Sequence, residues 1–221
     1  MDKKYSGLFV SFEGGEGAGK GTQIKLFRDY LENRYGKNRL VFTREPGGTE
    51  VGESVRKVLL HSNYKSTISK KAELLLFYAS RAQLVEEVLL PHLVDGKIVV
   101  ADRFFDSSAA YQGVGRGLGF EFINNHLTPF AVGGCIPDIT LSLDVDARQG
   151  LENIGSRPDE PTRIDKEELD FHLKVNQAFR DLASMYPDRL KLIPYFHQQP
   201  EKTHQVIREH FESLVERTNF K

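Results

Sequence analysis

At 221 residues the chain is long enough to bury a sizeable core, and domains of up to about 250 residues need not divide, so one domain spanning residues 1–221 is expected. Hydrophobic residues make up 39% and charged residues 28%, with no low-complexity block, which excludes a disordered chain. The 30 basic and 31 acidic residues nearly cancel, so no global positive field exists to hold nucleic acid or an anionic membrane, and any polyanion must be met locally.

Met1 to Phe12 carries two lysines and a short apolar run that stops at Glu13, too short for a secretory core or a membrane span, so a cytoplasmic protein is expected. The single Cys135 can form no disulfide within the chain and reads as buried filler. Seven scattered histidines make no zinc-binding grouping.

In chain order, Leu8 to Phe12 reads as a first strand, and Ile24, Phe27 and Leu31 then recur at helical spacing. Leu40 to Thr43 is a second strand. Ala72 to Leu90 is the longest helical pattern, with Pro91 as its end and Asp95-Gly96 as a turn into a third strand, Ile98 to Ala101. Ile139 to Val145 and Leu190 to Tyr195 complete the strands, Pro194 making the last an edge strand, and Ile207, Phe211 and Leu214 mark a closing helix. Brief strands apolar on both faces, alternating with helices, predict an α/β fold: a five-stranded parallel sheet covered by helices on both faces. Gly155 to Asp165 lacks any period and carries two prolines, Arg157 and Arg163, so it reads as a short lid loop.

The first strand runs into Gly14-Gly15-Glu16-Gly17-Ala18-Gly19-Lys20-Gly21-Thr22, and a helix follows, which is the setting a P-loop requires and makes the fold that of the P-loop NTPases. Glycines let the backbone turn its N–H groups around phosphate oxygens, the helix N-terminus adds positive potential, and Lys20 reaches the β and γ phosphates of a nucleoside triphosphate. The usual pattern puts Ser or Thr directly after the lysine to meet Mg²⁺, but here Gly21 stands there and Thr22 follows. Thr22 is therefore expected on a phosphate oxygen, with Mg²⁺ leaning on carboxylates and water. Asp102-Arg103 ends the third strand, and ligands in open α/β sheets bind beyond the carboxyl ends of strands. Asp102 is thus expected to hold Mg²⁺ through water and Arg103 to meet a phosphate. Asp144 and Asp146 close the fourth strand and read as caps.

Thr43-Arg44-Glu45-Pro46-Gly47-Gly48-Thr49, Leu76-Phe77-Tyr78-Ala79-Ser80-Arg81, Asp102-Arg103-Phe104 and Ser107-Ser108-Ala109-Ala110-Tyr111-Gln112-Gly113 together closely resemble the thymidylate kinase family, nearly end to end. The resemblance implies ATP-dependent phosphorylation of dTMP to dTDP with Mg²⁺, in a homodimer that has no nucleic-acid or membrane partner. It puts Arg44 and Arg103 on the dTMP phosphate and Glu16 near the sugar 3′-hydroxyl and the metal. Phe77 would stack on thymine, Arg81 would donate to its O4, and Ser107 and Gln112 would face its polar edge. Tyr111 would crowd the 2′ position against a ribose. Ala18 stands where some relatives carry an arginine, so charge on the transferred group would fall to the lid arginines Arg157 and Arg163. Lys20, Arg103, Arg157, Arg163 and Glu16 are then the expected catalytic set.

Two other readings are open to the sequence. The Gly-Lys-Gly-Thr-Gln run also suits a kinase for another nucleoside monophosphate or for a deoxynucleoside; a nucleoside acceptor would need a carboxylate base, whereas the arginines suit an acceptor that is already an anion. A nucleotide-gated switch protein is the different class, and it lacks support because no Asn-Lys-x-Asp or Asp-x-x-Gly motif occurs.

Overall fold

The computed structural model describes residues 5–61, 67–156 and 160–220. Five parallel strands, β1 (Leu8–Gly14), β2 (Leu40–Arg44), β3 (Ile98–Asp102), β4 (Ile139–Asp144) and β5 (Leu190–Pro194), form one sheet in the order β2-β3-β1-β4-β5. All five expected strands are present to within a residue or two, and β5, with Pro194, lies at an edge.

The side chains of β1 alternate between two cores. Leu8, Val10 and Phe12 pack with Phe27 and Leu31 of α1 (Lys20–Tyr35) and with Ile207 and Phe211 of α10 (Pro200–Thr218). Phe9 faces the other side, against Leu84 of α3 (Lys70–Leu84), the wider π turn Val85–Leu89, and Leu93 of α4 (Leu90–Val94). That helical path corrects the expected stop at Pro91. The π turn loosens the ladder just ahead of it, so the proline sits at the start of α4, where its missing N–H costs little.

Three further stretches are helical where no helix was expected from the sequence, although Phe171, Val175, Phe179 and Leu182 do recur at helical spacing. After β2, α2 (Glu50–Arg56) is capped by the Thr49 hydroxyl, which accepts from the Gly52 N–H at 2.9 Å. After β3, α5 (Phe105–Ser108) continues through a π turn, Ala109–Gly115, into α6 (Phe120–Phe122) and α7 (Thr128–Val132). After β4, α8 (Ala147–Gly155) and α9 (Leu169–Met185) flank the expected lid, so Gly155 belongs to a helix. Asp146 caps α8 through the Arg148 N–H at 2.9 Å, as its position suggested, while Asp144 pairs with Arg180 at 2.9 Å. Cys135 is buried, and burial, with Asp138 and Glu45, pushes its thiol up to about 12. Among the described residues no helix is long and apolar enough to cross a membrane.

Candidate functional site

The register aligns Phe12, Asp102 and Arg44 at the carboxyl ends of three neighbouring strands, so the segments leaving those strands converge on one spot. A cleft of about 610 Å³ opens there. Its floor is the loop between β1 and α1, and its walls include the segments after β2 and β3 and the residues Thr162, Ile164 and Asp165.

Close packing holds the loop open. Gly17 has φ +69°, and a Cβ there would lie 1.9 Å from the Gly150 carbonyl oxygen of α8, so only glycine fits. Asn153 of α8 donates to the Gly17 carbonyl at 2.9 Å and to the Tyr195 hydroxyl at 3.1 Å. The first turn of α1 has neither a side-chain cap nor an acidic residue, which leaves its N–H groups for an anion. Lys20 spans the loop, donating to the Gly14 and Gly15 carbonyls at 3.2 and 3.0 Å. Burial, together with Arg103, lowers its pKa from the usual 10.5 to about 8 against the pull of Glu16, Asp102 and Glu13. It is a buried cation short of negative charge, which phosphates would supply.

Glu13 ends the inward face of β1 and shapes the opposite wall. Its carboxylate accepts from the Phe104 N–H at 2.7 Å and from the Ser107 hydroxyl. Those bonds clamp the turn in which Arg103, at φ 70°, occupies a conformation rare for a side-chain-bearing residue. Burial and the nearby Asp106 raise Glu13 to about 8, against the opposing Ser107, Arg103 and Phe104. Arg103 thereby points into the cleft, bonding the Gly14 carbonyl and Ser107 at 3.0 Å each and Glu16 at 2.6 Å, with the Tyr111 ring 4.9 Å from its guanidinium. Glu16 also accepts from the Tyr111 hydroxyl at 2.8 Å. Burial would raise its pKa, but Arg103, Lys20, the Tyr111 hydroxyl and His172 outweigh that and hold it at about 2.

On the far wall Arg81 is 1% exposed, and it bonds Glu45 at 2.7 Å, the Phe104 carbonyl at 3.2 Å and Ser108 at 3.0 Å. Its Nη1 is buried without a partner, a donor held ready beside the cleft. Phe77 and Gln112 line the same wall. Arg44 enters from the end of β2, its Nη2 donating to both carboxylate oxygens of Glu53 at 3.0 Å.

Glu16, Gly17, Gly19, Lys20, Gly21, Thr22, Arg44, Phe77, Arg81, Asp102, Arg103, Ser107, Tyr111 and Gln112 all line the cleft. Gly14 and Gly15 lie beneath it as acceptors for Lys20, and Ala18 is buried in the core on the α1 side. Arg163 is not brought there: it donates to Glu73 at 2.6 Å and to the Leu59 carbonyl at 3.2 Å, because a buried carboxylate offers it a stronger partner than solvent does. Arg157 lies outside the described residues. Arg56, Glu45, Asn153 and Tyr195 line the cleft although no site role was expected of them from the sequence. Thr49 followed by the acidic Glu50 and Glu53 is a helix-start signal that would have begun a helix there, with Glu53 and Arg56 three apart on one face beside Arg44.

Among the described residues no group of three or more His, Cys, Asp or Glu side chains could hold a metal ion by itself. Asp102 nonetheless keeps Oδ1 buried with no partner at the edge of the cleft, which suits a hard cation bound mainly by phosphates and water.

A thymidylate kinase family model matches residues 12–217. The thymidylate kinase of Kosmotoga olearia is 45% identical over 203 residues, covering 91% of this chain and 94% of that protein. That of Gloeobacter violaceus is 45% identical over 185 residues, covering 83% and 85%. The crystal structure of the Ehrlichia chaffeensis thymidylate kinase superimposes with a TM-score of 0.74 at 33% identity, covering 93% of this chain and 99% of that one.

Proposed function

The chain belongs to the thymidylate kinase family, and from that membership we propose that it transfers the terminal phosphoryl group of ATP to dTMP, yielding dTDP and ADP for dTTP synthesis. The observation that carries this reading is one cleft with two anion pockets: Lys20 and the free N–H groups of α1 on one side, Arg44, Arg56 and Arg103 on the other. Two polyanions held in such a cleft need positioning and charge cancellation more than covalent help.

Lys20 lies across the loop where the donor's β and γ phosphates would rest, and Thr22 would meet a phosphate oxygen. Arg44 and Arg103 would take the acceptor phosphate, with Arg56 beside them. Arginine's planar fork suits this task, since it binds two phosphate oxygens at once. Glu16 stays ionised and would accept from the sugar 3′-hydroxyl, and Tyr111, bonded to it, would deny space to a 2′-hydroxyl. Phe77 would stack on the base, and the unpartnered Nη1 of Arg81 would meet O4 of thymine. Mg²⁺ would be held by Asp102, through water, and near Glu16; when bound it neutralises charge on the donor phosphates. Arg157 would meet charge on the transferred group, while Arg163, tied to Glu73, would do so only after release.

The enzyme would work in the cytoplasm as a homodimer, each chain forming one kinase domain. Offering a panel of nucleoside monophosphates with ATP and Mg²⁺ tests the reading by ADP release. dTMP should be turned over far faster than dCMP, AMP or thymidine, and a preference for any of those three would overturn it.

A further inference from the structure

Glu73 lies in α3, outside the cleft, yet four side-chain hydrogen bonds converge on its carboxylate. It is 1% exposed and accepts from Gln112 Nε2 at 2.9 Å, from Arg116 Nε and Nη2 at 3.1 and 3.2 Å, and from Arg163 Nη2 at 2.6 Å. Two guanidiniums against one buried carboxylate are more than a packing contact requires. Arg116 is itself fixed from outside by Glu167 at 2.7 Å and by the Phe171 ring at 4.6 Å. Burial alone would raise the Glu73 pKa, but Gln112, Arg116 and Arg163 outweigh it, and the carboxyl stays below its usual range.

An ionised carboxylate can only accept hydrogen bonds, whereas a glutamine amide can turn either end outward. Facing Glu73, Gln112 must offer its NH₂ group. Its carbonyl oxygen is then the end left for the cleft that Gln112 lines, where the unpartnered Nη1 of Arg81 supplies a donor. A donor and an acceptor together match a base edge with a carbonyl beside a ring N–H, as thymine has. Cytosine carries an amino group beside a bare ring nitrogen, the reverse pattern.

We propose that Glu73 is a positioning residue that locks the amide of Gln112 in the orientation selecting an imide base over cytosine, with Arg116 and Arg163 holding the carboxylate in place. This rests on the reading of the cleft as a dTMP site. It also accounts for Arg163, whose charge serves Glu73.

The test is Glu73→Gln, which keeps the shape but gives the site a partner with both a donor and an acceptor, so that Gln112 can turn over. The kcat/KM ratio of dTMP to dCMP should fall about tenfold, mainly through KM. In a Gln112→Ala background the same substitution should leave the ratio unmoved, because Glu73 acts through that amide. A role in stability alone would depress both substrates together and persist in that background. Should Glu73→Gln fail to fold, Glu73→Asp, which keeps the charge but withdraws the carboxylate from Gln112, carries the same comparison. An unaltered ratio in the folded variant overturns this inference and leaves the proposed function standing; a wild-type enzyme inactive on dTMP overturns both.

Discussion

Two residues beneath the cleft have pKa values that make opposite pH predictions. Lys20 is depressed to about 8 in the ligand-free protein, and bound phosphates favour its ammonium form. At a pH of about 9, ATP binding should therefore take up a proton, and affinity should fall as pH rises through 8. Calorimetry in buffers of different ionisation heat would reveal the uptake; Lys20→Ala should abolish it together with turnover. Glu13 is raised from 4.5 to about 8, so its contribution to stability is full below 4.5 and is lost as pH rises through 8. Lys20 acts in the other direction, since its depressed pKa lets stability rise above 8, and only a variant separates the two. Between pH ~6 and ~9 the Tm of Glu13→Gln should drop a few degrees less than that of the wild type. An equal drop in thermal melts would show that Glu13 is ionised throughout.

At the scale of elements, the loop from β1 and the first turn of α1 hold glycines of two kinds. Gly17 is trapped against α8, so Gly17→Ala should cost about 3 kcal/mol or more in chemical denaturation and remove ATP binding. Gly21, in the first turn of α1, has nothing within 4 Å of a would-be Cβ and needs no unusual φ. Gly21→Ser should accordingly be tolerated, adding about 0.5 kcal/mol through helix propensity. It also restores a hydroxyl directly after the lysine. Half-maximal activity should then need several-fold less Mg²⁺, measured by titration at fixed ATP; an unchanged requirement would mean that the cation sits away from α1.

For the whole molecule, the two cores on either face of the sheet leave α3 and α7 packed together on the outside, with Leu75 60% and Phe130 88% exposed. Large apolar side chains this open favour association, and in the proposed homodimer they would be buried. Sedimentation should give twice the mass of the 25.1 kDa chain, and Phe130→Glu should shift the population towards monomer. A dimer of undiminished affinity would move the interface elsewhere. The same architecture would let one cleft receive the two nucleotides of the proposed reaction. Parallel strands end together, so the segments after β1, β2 and β3 meet although their cleft-lining residues are spread from Glu16 to Gln112 in the sequence.

Strand positions and the phosphate loop were legible in the sequence, because short apolar runs and glycine-rich turns are set by local chemistry, whereas Arg44, Phe77, Arg81, Ser107, Tyr111 and Gln112 were reached only through the family resemblance. Lys20, Arg103 and Asp102 could be placed together from their positions at strand ends alone. Contacts between distant side chains could not. Nothing local distinguishes Arg163, drawn to Glu73 from 90 residues away, from an arginine that reaches the cleft. Nor could sequence reveal that Glu13 clamps the Arg103 turn, that Arg81 keeps one nitrogen free, or that Glu73 dictates which end of Gln112 faces the ligand. A side chain's type limits what it can bond, but its choice of partner depends on which groups folding buries beside it, and that is decided only when the helices close over the sheet.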